Sequence, residues 1–232
     1  PREMGVITNP VVLGLMSLLE WCSYRSATRS IGLSPGIVDG IARRGVAKSK
    51  IELVPNGCDI TIFSNETESW RPEGVSDNDF LAIYTGTHGI ANGLDALINA
   101  ASVLKQRGRD DIKLVLVGQG KLKAELEEKA RRDRLENVIF HPPVNKQRLA
   151  GLMSSADLGM QLLANVPAFY YGTSPNKFFD YIAAGLPVLN NYPGWLAEMI
   201  IESDCGFAVR PDDPYAFAAS LEAAADDRDR LR

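Results

Sequence analysis

Apolar residues follow two rhythms along the 232-residue chain, and each change of rhythm marks an element. From Phe80 onward, short unbroken apolar runs, the mark of strands buried on both faces, alternate with stretches in which apolar residues recur every three or four positions. "FLAIYTG" predicts a strand, and "GLDALINAASVLKQRG" predicts a helix whose inner face carries Leu94, Leu97, Ile98, Ala101 and Leu104. "IKLVLVG" predicts a second strand, and the charged "KLKAELEEKARRDRL" a second helix. The strand "NVIF", the helix "KQRLAGLMSSA", the strand "DLGMQLL" and an irregular loop over 164–173 follow. A helix then leads into "PVLNN", "WLAEMIIESD", "GFAV" and a last helix from Pro214. Strands alternating with helices predict an α/β fold, a Rossmann-like doubly wound parallel sheet with right-handed crossovers.

The first part of the chain is built differently. It predicts an apolar helix from about Val11 to Ala27, the strand "TRSIGLS", the helix "PGIVDGIARRG", the strand "KIELV" and a turn at "PNG". It reads as the end of a preceding α/β domain, covering residues 1–56. The polar stretch from Cys58 to Asp79 has the composition of a linker, and residues 57–232 form the second domain.

Composition narrows the partners. Hydrophobic residues make up 45% and charged residues 23%, as in folded globular chains, and the net charge of −4 excludes the basic footprint of a nucleic-acid binder. Cys22, Cys58 and Cys205 are widely spaced and lack ligand-spaced neighbours, so they read as buried free thiols in a reducing compartment rather than a metal site. The apolar stretch "PVVLGLMSLL" ends at Glu20, short of the ~20 residues that span a bilayer, and reads as a core or interface helix. No secretory leader is expected from the pattern of the first residues, and the start at Pro1 leads us to expect a fragment or a processed product. A cytoplasmic protein is expected.

In open parallel sheets, ligands bind beyond the carboxyl ends of the strands. That rule selects "TGTHGIANG", "GQGK", "HPPVN", the 164–173 loop with "SPNK" after it, and "NNYPGW". In the first segment Gly86, Gly89 and Gly93 let the backbone approach a ligand ahead of a helix N-terminus, an arrangement suited to phosphate. "GQGKLK" fails the dinucleotide fingerprint because Lys123 stands at the third glycine position, which disfavours a nicotinamide or flavin oxidoreductase. No phosphate loop, nucleophile elbow or HExxH is present, and His88 and His141 are the only histidines.

The stretch "GTSPNKFFDYIAAGLPV" carries the sharpest signal. Ser174 suits an N-cap and Pro175 the first helical position, which puts Lys177 in the first turn. A cation there is unfavourable by about 0.3–1 kcal/mol unless an anion sits between it and the helix dipole. Asp180 shares its face of the helix. Two readings stand: a Lys177–Asp180 surface pair worth about 0.2–0.5 kcal/mol, or Lys177 meeting a phosphate while Asp180 meets hydroxyl groups. Phe178, Phe179 and Ile182 read as core-facing. In the charged helix, Glu125–Lys129, Glu127–Arg131 and Glu128–Arg132 are spaced as i,i+4 pairs on a solvated face. Trp195 suits either packing at the domain edge or covering a sugar.

"IELVPNGCDITIF", "GLDALINAASVL", "LVLVGQGKLKAELE", "NVIFHPPVNKQRLAGLMSSADLGMQLL" and "SPNKFFDYIAAGLPVL" together resemble the retaining family-four glycosyltransferases of the two-lobed GT-B fold. The form around "SPNK" is similar to bacterial members that extend surface polysaccharides such as the O-antigen of lipopolysaccharide, including N-acetyl-fucosamine transferases. The resemblance implies that 1–56 ends the acceptor lobe and that 57–232 is the donor lobe, taking a nucleotide-diphosphate sugar, UDP-linked in expectation, with no cofactor. It implies a glycan or lipid-linked glycan acceptor and, through the other lobe, peripheral contact with the inner face of the cytoplasmic membrane.

In that family the second acid of an E-x7-E motif holds the nucleotide ribose, which corresponds to Asp180; the first acid falls on Gly172. The basic pair of the family's first glycine-rich loop is replaced by Thr87 or His88 and by Asn92. The donor phosphates are then expected at Gly86, Thr87, His88, Gly89, Ser174, Asn176 and Lys177, and the nucleoside at Gly118, His141, Val144 and Asp180. Lys177 and Asp180 are the expected catalytic pair. Two other readings are a nucleotide-sugar-binding module without catalysis and a GT-B-fold epimerase; the isolated fragment is expected to transfer poorly.

Overall fold

The computed structural model describes residues 8–64 and 67–229. In chain order the elements are α1 (Pro10–Ser26), β1 (Ser30–Gly32), α2 (Pro35–Arg43), β2 (Ile51–Leu53), α3 (Ile60–Ser64), β3 (Phe80–Thr85), α4 (Asp95–Gln106), β4 (Ile112–Val117), α5 (Lys123–Arg132) and β5 (Val138–His141). They continue with α6 (Lys146–Ser155), β6 (Leu158–Gln161), α7 (Pro167–Gly172), α8 (Asn176–Ala183), β7 (Val188–Asn190), α9 (Trp195–Glu202), β8 (Gly206–Ala208) and α10 (Pro214–Asp226). The chain divides into two compact units, Pro1–Asn56 with Val166–Pro175, and Gly57–Asn165 with Asn176–Arg232.

In the smaller unit, β1 and β2 pair in parallel and α2 packs on both. α2 also meets α7 so closely that a Cβ on Gly36 would lie 2.6 Å from the Tyr171 backbone. The 164–173 segment is therefore not irregular throughout: Val166 precedes Pro167, whose fixed φ and missing N–H suit the first position of α7. Asn9 caps α1 by accepting from the amides of Val11 and Val12, yet none of α1's residues is buried; Val11, Leu15, Leu18, Leu19 and Trp21 are exposed.

The larger unit holds a six-stranded parallel sheet of order β5-β4-β3-β6-β7-β8. This is the doubly wound architecture expected from the alternating pattern. Every residue of β3 is buried, and Leu158 and Met160 of β6 join Leu97, Ile98 and Leu104 of α4 and Phe217 and Leu221 of α10 in one core. Gly159, between them, faces the other way, where the Tyr181 ring of α8 occupies the position of a Cβ. Helices thus cover both faces, and burying each large apolar side chain contributes about 1.5–3 kcal/mol. Strand order reverses between β3 and β6, which pair over only Ala82↔Leu158 and Ile83↔Gly159, leaving a crevice beyond their carboxyl ends.

The stretch read as a linker includes Asn65 and Glu66, which lie outside the described residues. Just before them, α3 is a short helix that Asp59 begins, its carboxylate accepting from the Thr61 amide at 3.0 Å. Along α5 the three expected i,i+4 pairs are not formed among the described residues: Lys129 reaches Asp95 at 2.7 Å, and Lys123 lies 3.9 Å from Glu127. A tertiary carboxylate at short range outcompetes a same-helix partner worth only a few tenths of a kcal/mol. Ile182 is 42% exposed and Phe178 fully buried, so only part of the expected core face of α8 faces inward. Among the described residues no helix is long and apolar enough to cross a membrane.

Candidate functional site

At the carboxyl end of β3 the chain turns through Gly86, whose φ of +145° favours glycine. Lys177 of α8 reaches this turn. Its Nζ sits 4.9 Å from the centre of the Tyr84 ring, and a Cβ added to Gly86 would lie 3.1 Å from the lysine Cε. Burial pulls the Lys177 ammonium down to about 8, and no carboxylate pairs with it among the described residues. A π-face replaces some of the lost hydration but supplies no hydrogen-bond acceptor lone pair. The position is held by packing one turn further on, where Phe178 and Tyr181 are buried and the Thr85 amide donates to the Tyr181 hydroxyl at 2.9 Å.

The start of this helix differs from the expectation. α8 begins at Asn176, so Ser174 is not its N-cap and Pro175 is not its first helical residue. Ser174 belongs to the smaller unit, where its hydroxyl accepts from the Asn56 amide at 3.0 Å and its carbonyl accepts from the Asn56 side chain. Among the described residues no amide of α8 donates to that hydroxyl. Lys177 is still in the first turn, and Asn176 is exposed.

Asp180 is 7% exposed, and its partner is not Lys177. Lys146 donates to both carboxylate oxygens, at 2.8 and 2.7 Å, which removes the surface-pair reading. Lys146 is the first residue of α6, whose N-cap Asn145 accepts from the Arg148 amide at 2.8 Å, and its Nζ lies 5.5 Å from the Phe63 ring centre. Cys58 completes this corner; partial burial, and then the nearby Asp180 charge, push its thiol up. The cysteines are free but not buried as expected: Cys22 is exposed, and Cys58 and Cys205 are half-buried. Lys146 was not among the sequence-predicted residues. The signal existed in the same form as for Lys177, a cation where the helix dipole disfavours one, directly after a good capping residue.

His88 is a correction of another kind. Its imidazole is fully buried between the Tyr84 and Phe140 rings, at centroid distances of 6.0 and 6.2 Å, with neither ring nitrogen hydrogen-bonded. Burial, helped by the Lys123 charge, pulls it down to about 4, so it is neutral and presents no surface to a phosphate. Its backbone ties two loops together instead: the His88 amide donates to Gln119 at 2.9 Å, and the Leu122 amide donates to His88 at 3.0 Å. The Gly86 amide is likewise engaged, donating to Val117 at 2.9 Å. Thr87 is exposed, and with Gly89 it remains as this segment's open edge.

Gly118 joins the next loop. A Cβ there would fall 1.9 Å from the Gly86 carbonyl oxygen, and the Gly118 amide donates to His141 at 3.1 Å. The loops after β3, β4 and β5 are thus laced side by side. His141 is half-buried against Trp70, with Nδ1 2.8 Å from the Pro142 carbonyl, a contact that a proton on Nδ1 satisfies. Val144 is half-buried in the same loop. Trp195 is buried at the start of α9, which fits packing and leaves little ring face for a sugar. A separate recess of 340 Å³, lined by Asp95, Asn99, Asn165, Asn191 and Arg210 among others, includes Gly93 of the first glycine-rich segment but none of the residues expected to hold the donor phosphates or the nucleoside. No cluster of three metal-ligating side chains occurs among the described residues.

The arrangement can hold an anion at Lys177 and hydroxyl groups at Asp180. A family model described as glycosyl transferases group 1 matches residues 79–227. The chain belongs to that family. Among curated relatives, the D-inositol 3-phosphate glycosyltransferase of Arthrobacter sp. is 28% identical over 211 residues, 87% of this chain and 48% of the relative. Among solved structures, Anabaena HepE in complex with UDP-glucose superposes with a TM-score of 0.71 at 19% identity, over 90% of this chain and 57% of that one. WaaG, a glycosyltransferase involved in lipopolysaccharide biosynthesis, superposes with a TM-score of 0.65 at 20% identity, over 89% and 60%. The fold of the larger unit is that of the Rossmann-like C-terminal lobe of GT-B glycosyltransferases. The chain spans about half the length of the first curated relatives it matches.

Proposed function

We propose that this chain binds the donor of a group 1 glycosyltransferase, which moves a sugar from a UDP-linked donor to a glycan or lipid-linked glycan with retention of configuration. The observation that carries the reading is the Lys177 ammonium, desolvated over Tyr84 beside the Gly86 turn and unmatched by any described carboxylate. Its pairing with an incoming diphosphate would recover the burial penalty. The fold and the family favour that ligand: the site lies at the sheet's switch point, where α/β folds bind ligands, and HepE has been solved with UDP-glucose.

In this reading Asp180 accepts from the ribose hydroxyls, the backbone over His141–Val144 faces the nucleobase, and Lys177 meets the diphosphate. Thr87 and Gly89 line its other side. Lys177 would stabilise the charge that grows on the leaving diphosphate as the glycosidic bond breaks, a preorganised electrostatic effect. Retention needs no protein nucleophile if the acceptor hydroxyl attacks on the leaving-group face and passes its proton to the departing phosphate oxygen. Donor binding is proposed for the chain itself, and transfer for the full-length protein. Surface polysaccharide is the proposed acceptor class, from the form of the segment around Lys177.

Calorimetric titration with UDP, GDP and ADP tests the donor reading. The tightest of these is expected to lose about 10–100-fold in affinity in Lys177→Ala, the scale of one charge-assisted hydrogen bond. Binding unchanged by that substitution, or no binding of any of the three, would overturn it.

A further inference from the structure

We infer that Tyr84 is a positioning residue that holds the Lys177 ammonium at the Gly86 turn with its charge still available to an anion. This rests on the diphosphate role proposed above for Lys177, and adds the side chain that keeps that role open. Lys177 Nζ lies 4.9 Å from the centre of the Tyr84 ring, within the ~6 Å over which a ring face attracts a cation. The ring is itself fixed. Tyr84 is fully buried in the core, and its hydroxyl donates to the Thr87 carbonyl at 2.9 Å. One side chain therefore lies against the cation and ties down the turn that carries Gly86 and Thr87.

A carboxylate in this place would hold the lysine more strongly and would also neutralise it, as Asp180 does for Lys146. A neutral ring favours the ammonium without cancelling its charge, and leaves its three N–H donors to an incoming acceptor. Burial, and then the nearby Tyr181 phenol, push the Tyr84 hydroxyl up, so it stays a neutral donor to Thr87. Take the ring face away, and only burial acts on Lys177, with no ionised group among the described residues to offset it. The dipole of α8 works in the same direction. The ammonium would then release its proton more readily or leave the turn for solvent, and either response weakens the seat for a phosphate.

The experiment separates the ring face from the hydroxyl. UDP, GDP and ADP are titrated calorimetrically at pH 8, where Lys177 is about half neutral, into wild type, Tyr84→Phe and a variant carrying trifluorophenylalanine at the same position. The fluorinated ring keeps the shape of phenylalanine and loses the negative face that attracts a cation. Tyr84→Phe is expected to lose about threefold in affinity for the tightest nucleotide, the scale of one neutral hydrogen bond. Fluorination is expected to lose about a further threefold to tenfold, and to raise proton uptake on binding from about half a proton toward one, because a less favoured ammonium is more often neutral beforehand. In a Lys177→Ala background the same fluorination should change nothing, since the cation it acts on is gone. Affinity and proton uptake unmoved by fluorination would overturn the inference, as would an equal loss in the Lys177→Ala background, which marks a structural role only. If Lys177→Ala binds as wild type does, the diphosphate role of Lys177 falls and the inference with it. If wild type binds none of the three nucleotides, the donor reading falls as well.

Discussion

Lys146 and Lys177 stand in the first turns of α6 and α8, where a helix dipole repels a cation, and they differ in what answers their charge. Lys146 has both oxygens of Asp180 and remains partly in water; Lys177 has an aromatic face and little water. The first charge is balanced within the protein. The second is not, and burial already pulls it down to about 8. A site poised for an anion needs a cation that is desolvated and unpaired, and a site poised for hydroxyl groups needs an anion that is paired and fixed. The two lysines supply one of each.

The largest test of this contrast is the reaction. In the proposed transfer reaction, Lys177→Ala should lower kcat/KM by about 10²–10³, the loss on removing one donor that stabilises a developing oxyanion. Steady-state rates check it, and near-normal turnover would make the two lysines equivalent. A smaller effect of opposite sign should appear in stability. Because an ordinary lysine titrates near 10.5 and Lys177 near 8, the unfolded chain binds more protons between those values, so this group makes stability rise with pH across that window. At pH 7 the folded protein carries the whole penalty. Lys177→Met should therefore stabilise by on the order of 1–3 kcal/mol, discounted for partial solvation. Urea titrations at pH 7 and again above 10.5 should show the gain and its disappearance.

Proton linkage sharpens the comparison further. At pH 8, roughly half of Lys177 is neutral, and an arriving diphosphate favours the charged form, so nucleotide binding should take up about half a proton. Calorimetry in buffers of different ionisation heat measures it, and Lys177→Met should abolish it. Lys146→Met should leave the uptake in place. The smallest effect is expected away from both lysines: Gly172 closes α7 with no atom within 4 Å of an added Cβ, so Gly172→Glu should shift stability by less than about 0.5 kcal/mol in thermal melts.

The strands of the larger unit were legible because a parallel sheet covered on both faces turns each strand into an unbroken apolar run, as in "FLAIYT" and "IKLVLV". Lys177 was legible because its position violates a local rule. What stayed hidden depends on partners far away in sequence. Ser174 has the chemistry of a cap, but its oxygen is taken by Asn56, 118 residues earlier. His88 occupies a loop rich in glycine and looked available, but whether a ring turns outward or inward is decided by Tyr84 and Phe140, and no spacing records that. Asp180 was found, and its apparent neighbour Lys177 was the wrong partner, because three residues along a helix is a weaker claim than 2.7 Å across the fold.

Tyr181 gives the site its tolerance. Its ring rests on Gly159 in mid-strand, and its hydroxyl is fixed to Thr85 at the end of β3, so one rigid side chain gauges both the height and the rotation of α8 against the sheet. Lys177 and Asp180 ride on that same helix. A methyl group at Gly159 would act as a shim under the gauge, lifting both charged groups together, and a change buried in the sheet would be felt at the surface as a loss of aim.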